Sequence, residues 1–253
     1  MNKNALIGYT GFVGSTLMAQ AKFSSLYRSN NIDEIRGKKF DTVVCAGAPG
    51  LKWKANTSPD EDKASIFSLI RCLEQINCKR LILISTVDVF SHPLCVNEDT
   101  VVEQATLNPY GLHRRILELF VAKHFEDTIT VRLPGLVGPG LRKNVIFDLK
   151  YHNNLAKIDP NDVFQFYPII NLWKDINVAS ELGIDLIHLT AEPISVDEVA
   201  LEGFGMHMPQ KFNDGLSRYD FQTRHASIFG ATGLYQYSKA ETLAAVRRYA
   251  RAG

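Results

Sequence analysis

The sequence predicts an α/β fold, a doubly wound parallel sheet with helices on both faces, followed by a small C-terminal lobe. Three observations predict it. Short β-branched or apolar runs alternate with longer segments of helical period through the first half of the chain. A cluster of glycines stands between the first such run and the first helical segment. Beyond Pro134, glycine and proline gather in Pro134-Gly135-Leu136-Val137-Gly138-Pro139-Gly140 and the period becomes irregular, as a separate smaller lobe would have it.

Ala5 to Gly8 reads as the first strand, Val13 to Ala21 as a helix, Ser24 to Arg28 as the second strand and Thr42 to Ala46 as the third. The last two lie close together in sequence, so the crossover between them is abbreviated. Asp60 to Ile76 places Ile66, Leu69, Ile70 and Leu73 on one helical face, and the wholly apolar Leu81 to Ile84 has the character of a strand buried on both sides. Pro109 opens a helix over Tyr110 to Lys123, with Leu112, Ile116, Leu117 and Phe120 on one face, and Thr128 to Leu133 is the next strand. The expected sheet domain spans 1–140 plus about 165–190, and the expected lobe about 141–164 and 191–253. Arg247, Arg248 and Arg251 cap and solvate a final helix.

A chain of 253 residues that is 45% hydrophobic and 22% charged can bury a full core. A net charge of +1 provides no field to draw it onto nucleic acid or an anionic membrane, so neither partner is expected and binding falls to a local site. Cys45, Cys72, Cys78 and Cys95 form no CxxC pair and are too sparse for a disulfide scaffold. They read as reduced, packed thiols, and the expected compartment is the cytoplasm. The N-terminal apolar run is too brief for a signal peptide, and no stretch approaches the roughly 20 apolar residues of a membrane span. No spacing of His, Cys and carboxylates suggests a metal site.

Gly8-Tyr9-Thr10-Gly11-Phe12-Val13-Gly14 follows the first strand and opens directly into a helix. A dinucleotide pyrophosphate needs backbone amides at close range and the positive end of a helix dipole, and glycines permit the tight turn and the close approach. Gly8, Thr10, Gly11, Phe12, Val13 and Gly14 are therefore the expected pyrophosphate turn of a Rossmann-type domain. At the end of the second strand a carboxylate suits the ribose of NAD and a cation suits the extra phosphate of NADP. Arg28 and Ser29 occupy that place and make NADP the preferred cofactor, with NAD the alternative through Asp33 if the strand ends later. Ala46, Gly47 and Ala48 supply small side chains for a cofactor floor after the third strand, or for an ordinary tight turn.

Ser85-Thr86-Val87-Asp88-Val89-Phe90 closes the buried strand, and Asn108-Pro109-Tyr110-Gly111-Leu112-His113-Arg114 opens the helix after it. A tyrosine is a poor base near pH 7 unless a cation favours its phenolate, and Tyr110 and Arg114 share a helix face at i,i+4. With the GxxGxxG turn, these segments resemble the extended short-chain dehydrogenase/reductase family, firmly over about the first 150 residues and loosely beyond. Thr86 stands four residues before Phe90 as the family's strand-end hydroxyl does, and Tyr110 begins a YxxxK helix in which Arg114 replaces the lysine. The resemblance implies catalytic roles for Thr86, Tyr110 and Arg114, and cofactor contacts from Ser85, Tyr110, Arg114 and Pro134.

Asp88 matches one acidic position of family dehydratases, but the other is Val87, which disfavours dehydration; Asp88 is expected to contact substrate or solvent. His113 turns away from the Tyr110 face, toward packing or solvent. Arg142, Lys143 and Asn144 are the expected substrate-binding residues of the lobe, able to hold a phosphate or sugar hydroxyls. Phe164, Phe166, Tyr167 and Trp173 are more simply core than stacking platforms. The resemblance implies an NAD(P)-dependent reductase or epimerase acting on a secondary alcohol or ketone of a nucleotide-linked or other sugar, with a homodimer as the family habit. The substituted lysine motivates the rival expectation, a catalytically degenerate dinucleotide-binding sensor.

Overall fold

In the computed structural model, which describes residues 3–209 and 215–252, the alternating runs become the elements expected of them, with shifted ends. In chain order these are β1 (Asn4–Ile7), α1 (Phe12–Gln20), β2 (Ser25–Tyr27), β3 (Lys39–Cys45), α2 (Lys52–Thr57), α3 (Pro59–Leu73) and β4 (Asn77–Thr86). There follow β5 (Leu94–Val96), α4 (Pro109–His124), β6 (Thr128–Leu133), β7 (Gly135–Val137), α5 (Val145–Tyr151), β8 (Val163–Phe164) and β9 (Phe166–Pro168). The chain ends in α6 (Leu172–Glu181), β10 (Leu186–His188), β11 (Ile194–Ser195), α7 (Val196–Phe204), β12 (Asp220–Phe221) and α8 (Lys239–Arg251).

Six strands form one sheet in the order β10-β6-β4-β3-β1-β2. β1 pairs in parallel with both β2 and β3, and β3 in parallel with β4. The chain thus moves to one side of β1 for β2 and to the other side for β3. In doubly wound sheets such a reversal opens a crevice beyond the carboxyl ends of the two strands, where ligands bind. The short stretch between β2 and β3 holds a single 3-10 turn, Ile32–Ile35, that buries only Ile35.

Ala5 and Ile7 of β1, Val43 and Cys45 of β3, and Leu81 and Leu83 of β4 cluster with Ile66, Leu69, Ile70 and Leu73 of α3 and with Leu117 and Val121 of α4. The alternate residues Leu6, Val44 and Ile82 are buried as well. Both faces of these strands are covered, which is why Leu81 to Ile84 is apolar without a break. The face that α4 buries is more polar than its hydropathy predicts. It takes in Tyr110, His113, Arg114 and Glu118, while Leu112, Ile116 and Phe120 are half-buried. Buried charges are tolerated where paired: Asp62 of α3 meets His113 and Arg114, and Arg132 of β6 meets Glu118.

The chain forms two compact units: Met1–Ser91 with Val101–Arg132 and Ile176–Ile187, and His92–Thr100 with Leu133–Asp175 and His188–Gly253. Residues 133–140 and 165–175, which the sequence reading joined to the sheet, pack in the second unit, because β7 pairs in parallel with β9. Residues 92–100 join that unit through β5, which pairs with β12.

Within the second unit β8 pairs antiparallel with β11, and α7 and α8 each begin in a capping box, Ser195 with Glu198 and Ser238 with Glu241. Tyr167 is fully buried and donates to the Asp175 carboxylate at 2.5 Å, as Tyr237 does at 2.8 Å. Phe164 packs against Phe166 and Tyr219, so these aromatics serve the core, whereas Trp173 is half-buried.

Candidate active site

Backbone geometry accounts for two glycines of the β1–α1 turn and leaves the third without an internal reason. Gly8 has φ +85°, and a Cβ there would meet the Ala46 carbonyl oxygen at 2.3 Å. A Cβ on Gly14 would meet the Gly8 carbonyl oxygen at 2.1 Å, so α1 packs onto the turn only through a glycine. Gly11 has an ordinary φ of −73°, lies exposed, and a Cβ would make only van der Waals contact at 3.4 Å. A ligand approaching the backbone closely is what a bare position there would serve. Gly11 is also the N-cap of α1, and no side chain caps this end. The helix start, with Phe12, Val13 and Gly14 as its first residues and exposed Thr10 beside it, can therefore receive an anion.

β2 ends at Tyr27, so Arg28 follows the strand directly. Its backbone N–H donates to Asn31 Oδ1 at 2.8 Å, and its side chain and that of Ser29 are exposed. Asp33, the residue that would favour NAD, sits in the 3-10 turn and is engaged by Arg36 at 2.6 Å, which holds its carboxyl below the ordinary aspartate value. After β3, the Ala46 N–H donates to the Ile7 carbonyl at 2.9 Å, and a Cβ on Gly47 would crowd Ile7 at 2.9 Å. Ala48 packs against the core. Strand packing thus accounts for a bare residue at Gly47 in its own right.

Tyr110 is buried in the first turn of α4, which Asn108 caps and which approaches the end of β4 so closely that a Cβ on Gly111 would meet the Asp88 carbonyl at 2.0 Å. Thr86 at that strand end accepts the Asp88 N–H at 3.1 Å and lies close enough to the Tyr110 phenol to favour its ionised form. Burial pushes the phenol above its ordinary value; Arg114, Thr86 and Lys52 pull it down, and Asp88 pushes it up.

Arg114 does not reach out as a lysine would. Its guanidinium lies 3.9 Å from the centroid of the Tyr110 ring and binds Asp62 through both terminal nitrogens, at 2.5 and 2.8 Å. It also donates to the carbonyls of Tyr110 and Pro49. Its Nε is buried and, among the described residues, has no hydrogen-bond partner. Burial alone would raise the Asp62 carboxyl, but hydrogen bonds from Arg114 and His113 outweigh it and hold the group below the ordinary value. His113, buried, gives its Nδ1 to the same carboxylate at 2.7 Å, a packing role as its helical position implies.

Two neighbours of the site escaped the motif reading. Lys52 at the start of α2 pairs with Asp88 at 2.6 Å, and Asp88 Oδ2 lies 3.4 Å from Thr86 Oγ1. Asn56, one turn along α2, accepts the Tyr110 N–H at 3.1 Å. Asp88 is thus partly buried in this cluster. Ser85, by contrast, donates its hydroxyl to Glu118 at 2.5 Å in a buried network with Arg132 and Arg115, which leaves its side chain to structure.

In the second unit Pro134 is buried between β6 and β7, and Arg142 and Lys143 are exposed. Asn144 is committed elsewhere: its Oδ1 accepts the N–H groups of Ile146 and Phe147, and its Nδ2 donates to the Leu136 carbonyl. That leaves its amide to cap α5 and hold a backbone at φ 111°. Among the described residues no group of three or more His, Cys, Asp or Glu is placed to hold a metal ion, and no helix is long and apolar enough to cross a membrane.

Neither a family model nor a curated protein sequence matches the chain. Solved structures do match it in fold. A UDP-N-acetylglucosamine 4-epimerase from Methanobrevibacter ruminantium, in complex with UDP-N-acetylmuramic acid, is 12% identical with a TM-score of 0.75, over 99% of this chain and 97% of that one. A dTDP-4-dehydrorhamnose reductase from Bacillus anthracis, in complex with NADP, is 16% identical with a TM-score of 0.73, over 98% of each chain. The Bordetella bronchiseptica enzyme WbmG, in complex with NAD, is 16% identical with a TM-score of 0.74, over 99% of this chain and 96% of that one. The chain therefore shares, over nearly its whole length, the Rossmann-type fold of these epimerases and reductases.

Proposed function

We propose that the chain is an NAD(P)-dependent oxidoreductase or epimerase acting on a secondary alcohol or ketone of a nucleotide-linked or other sugar, with NADP the preferred cofactor. The observation that carries this reading is the buried Tyr110, packed beside Thr86 at the end of β4 in the same unit as the Gly8–Gly14 turn. The epimerase and reductase neighbours, found with sugar nucleotides or dinucleotides, support it.

The β1–α1 turn would hold the pyrophosphate, Arg28 and Ser29 the adenosine phosphate, and the buried Nε of Arg114 an oxygen of the nicotinamide half. When bound, the dinucleotide supplies the hydride acceptor or donor. Thr86 orients the reacting oxygen. Tyr110, as its phenolate, takes the hydroxyl proton as the alcohol is oxidised and, as the phenol, returns it on reduction. Asp88 is assigned to the substrate beside Thr86.

A second reading, a dinucleotide-binding protein without turnover, is favoured by one observation: Arg114 replaces the lysine and its charge is paired with Asp62. Product analysis by liquid chromatography with mass detection, using either cofactor and a panel of nucleotide sugars and their keto forms, separates the two. Under the catalytic reading isomerised or reduced product appears with wild type and is lost in Tyr110→Phe, which retains dinucleotide affinity. Turnover that survives Tyr110→Phe removes the proposed proton carrier.

A further inference from the structure

A buried phenol carries protons near neutral pH only if a positive charge favours its ionised form. Arg114 is the strongest of the groups that lower the phenol, but its charge is already committed. It faces the ring of Tyr110 while its charge is paired with Asp62, itself shared with His113. A second cation stands on another element. Lys52 Nζ lies 2.6 Å from Asp88, and Asp88 reaches Thr86, the hydroxyl beside Tyr110. α2 is tied to the first turn of α4 by Asn56, so the ammonium is held in register with the phenol. The side chain of Lys52 is 42% exposed and that of Arg114 only 3%. Lys52 is a compact, hydrated point charge, whereas Arg114 is a fixed fork.

We propose that Lys52, tethered by Asp88, is a second positioning cation of the Tyr110 phenol, adding from α2 the ammonium that the helix position of Arg114 lacks. The assignment rests on the catalytic reading above. The groups facing the phenol are Lys52 from α2, Asp88 and Thr86 from the end of β4, and Arg114 from α4 with Asp62 and His113 behind it. During oxidation the substrate hydroxyl proton moves to the Tyr110 oxygen, and Lys52 keeps its own proton throughout.

The test titrates Tyr110 in the full-length chain without cofactor or substrate, by nuclear magnetic resonance of isotope-labelled tyrosine, with the resonance identified by its loss in Tyr110→Phe. Asp88→Asn removes the opposing carboxylate, and the midpoint is expected to lie about 1 pH unit lower in Asp88→Asn than in Asp88→Asn with Lys52→Gln. Equal midpoints in these two variants overturn the proposal. In the product assay Lys52→Gln is expected to shift the kcat profile to higher pH with KM little changed, and Lys52→Arg to restore it. An unshifted kcat profile in Lys52→Gln also overturns it. The predicted midpoint difference in a protein that converts no sugar supports the Lys52 assignment while counting against the proposed activity, so the two failures are distinguishable.

Discussion

A methyl group at Gly14 would meet the Gly8 carbonyl oxygen at 2.1 Å, whereas at Gly11 it would find its nearest atom at 3.4 Å. The two glycines, equivalent in the sequence motif, therefore answer to different demands. Gly14→Ala forces α1 off the turn and is expected to cost about 1–3 kcal/mol of stability, as overpacking does. Gly11→Ala replaces an N-cap and is expected to cost about 1 kcal/mol or less, yet to weaken dinucleotide binding about tenfold, the equivalent of about 1.4 kcal/mol. Thermal denaturation beside a dinucleotide titration checks both. Unchanged affinity in Gly11→Ala would mean that no ligand approaches that position. Asn144 makes a related point in the opposite sense: its sequence position suggested a substrate donor, but its amide is consumed in supporting a backbone that disfavours any side chain.

Helices α3 and α4 meet through a buried ion pair whose partners lie far apart in sequence. Removing one member strands the other, so Arg114→Met is expected to cost about 3–5 kcal/mol in denaturant unfolding. The pH dependence follows from Asp62, whose carboxyl is lowered in the folded chain. Between the ordinary aspartate value of about 3.9 and the lower folded value, the unfolded chain binds more protons. The stability contributed by Asp62 is thus present above about pH 3.9 and is lost as pH falls through the folded value. Unfolding curves across that acidic range should show the loss in wild type and its absence in Asp62→Asn, which is less stable at neutral pH. Of the face that hydropathy assigns to α4, Leu117 is buried while Leu112, Ile116 and Phe120 are half-buried. Hydropathy could not register that His113, Arg114 and Glu118 would be buried, because their partners Asp62 and Arg132 sit on other elements.

For the molecule as a whole, local pattern was a good guide wherever one segment carried the information. The glycine turn was legible from spacing, the strand-end Thr86 and the helix-opening Tyr110 from the family resemblance, and β3 and β4 from their apolar cores. Both strands begin earlier than expected, at Lys39 and Asn77, because polar residues at their exposed starts hide the strand from a hydropathy reading. Lys52 was invisible because α2 is too short to show a period and its partner Asp88 lies 36 residues away. Cofactor choice is also testable at this scale, since a ligand that binds only the folded chain stabilises it by about 2.7 kcal/mol at a hundredfold excess over Kd. NADPH is expected to raise the Tm more than NADH at equal concentration, and Arg28→Ala to erase the difference; an equal or larger shift with NADH would remove the role given to Arg28.

The strands at the two margins of the sheet, β2 and β10, are three residues long. At about 3.3 Å per residue each offers an incoming strand a ladder of only about 10 Å. Exposed edges are templates for pairing between molecules, and brevity is one way proteins blunt them. Ending the sheet at so short a β2, with a 3-10 turn in place of a further helix, therefore also guards the chain against edge-to-edge aggregation.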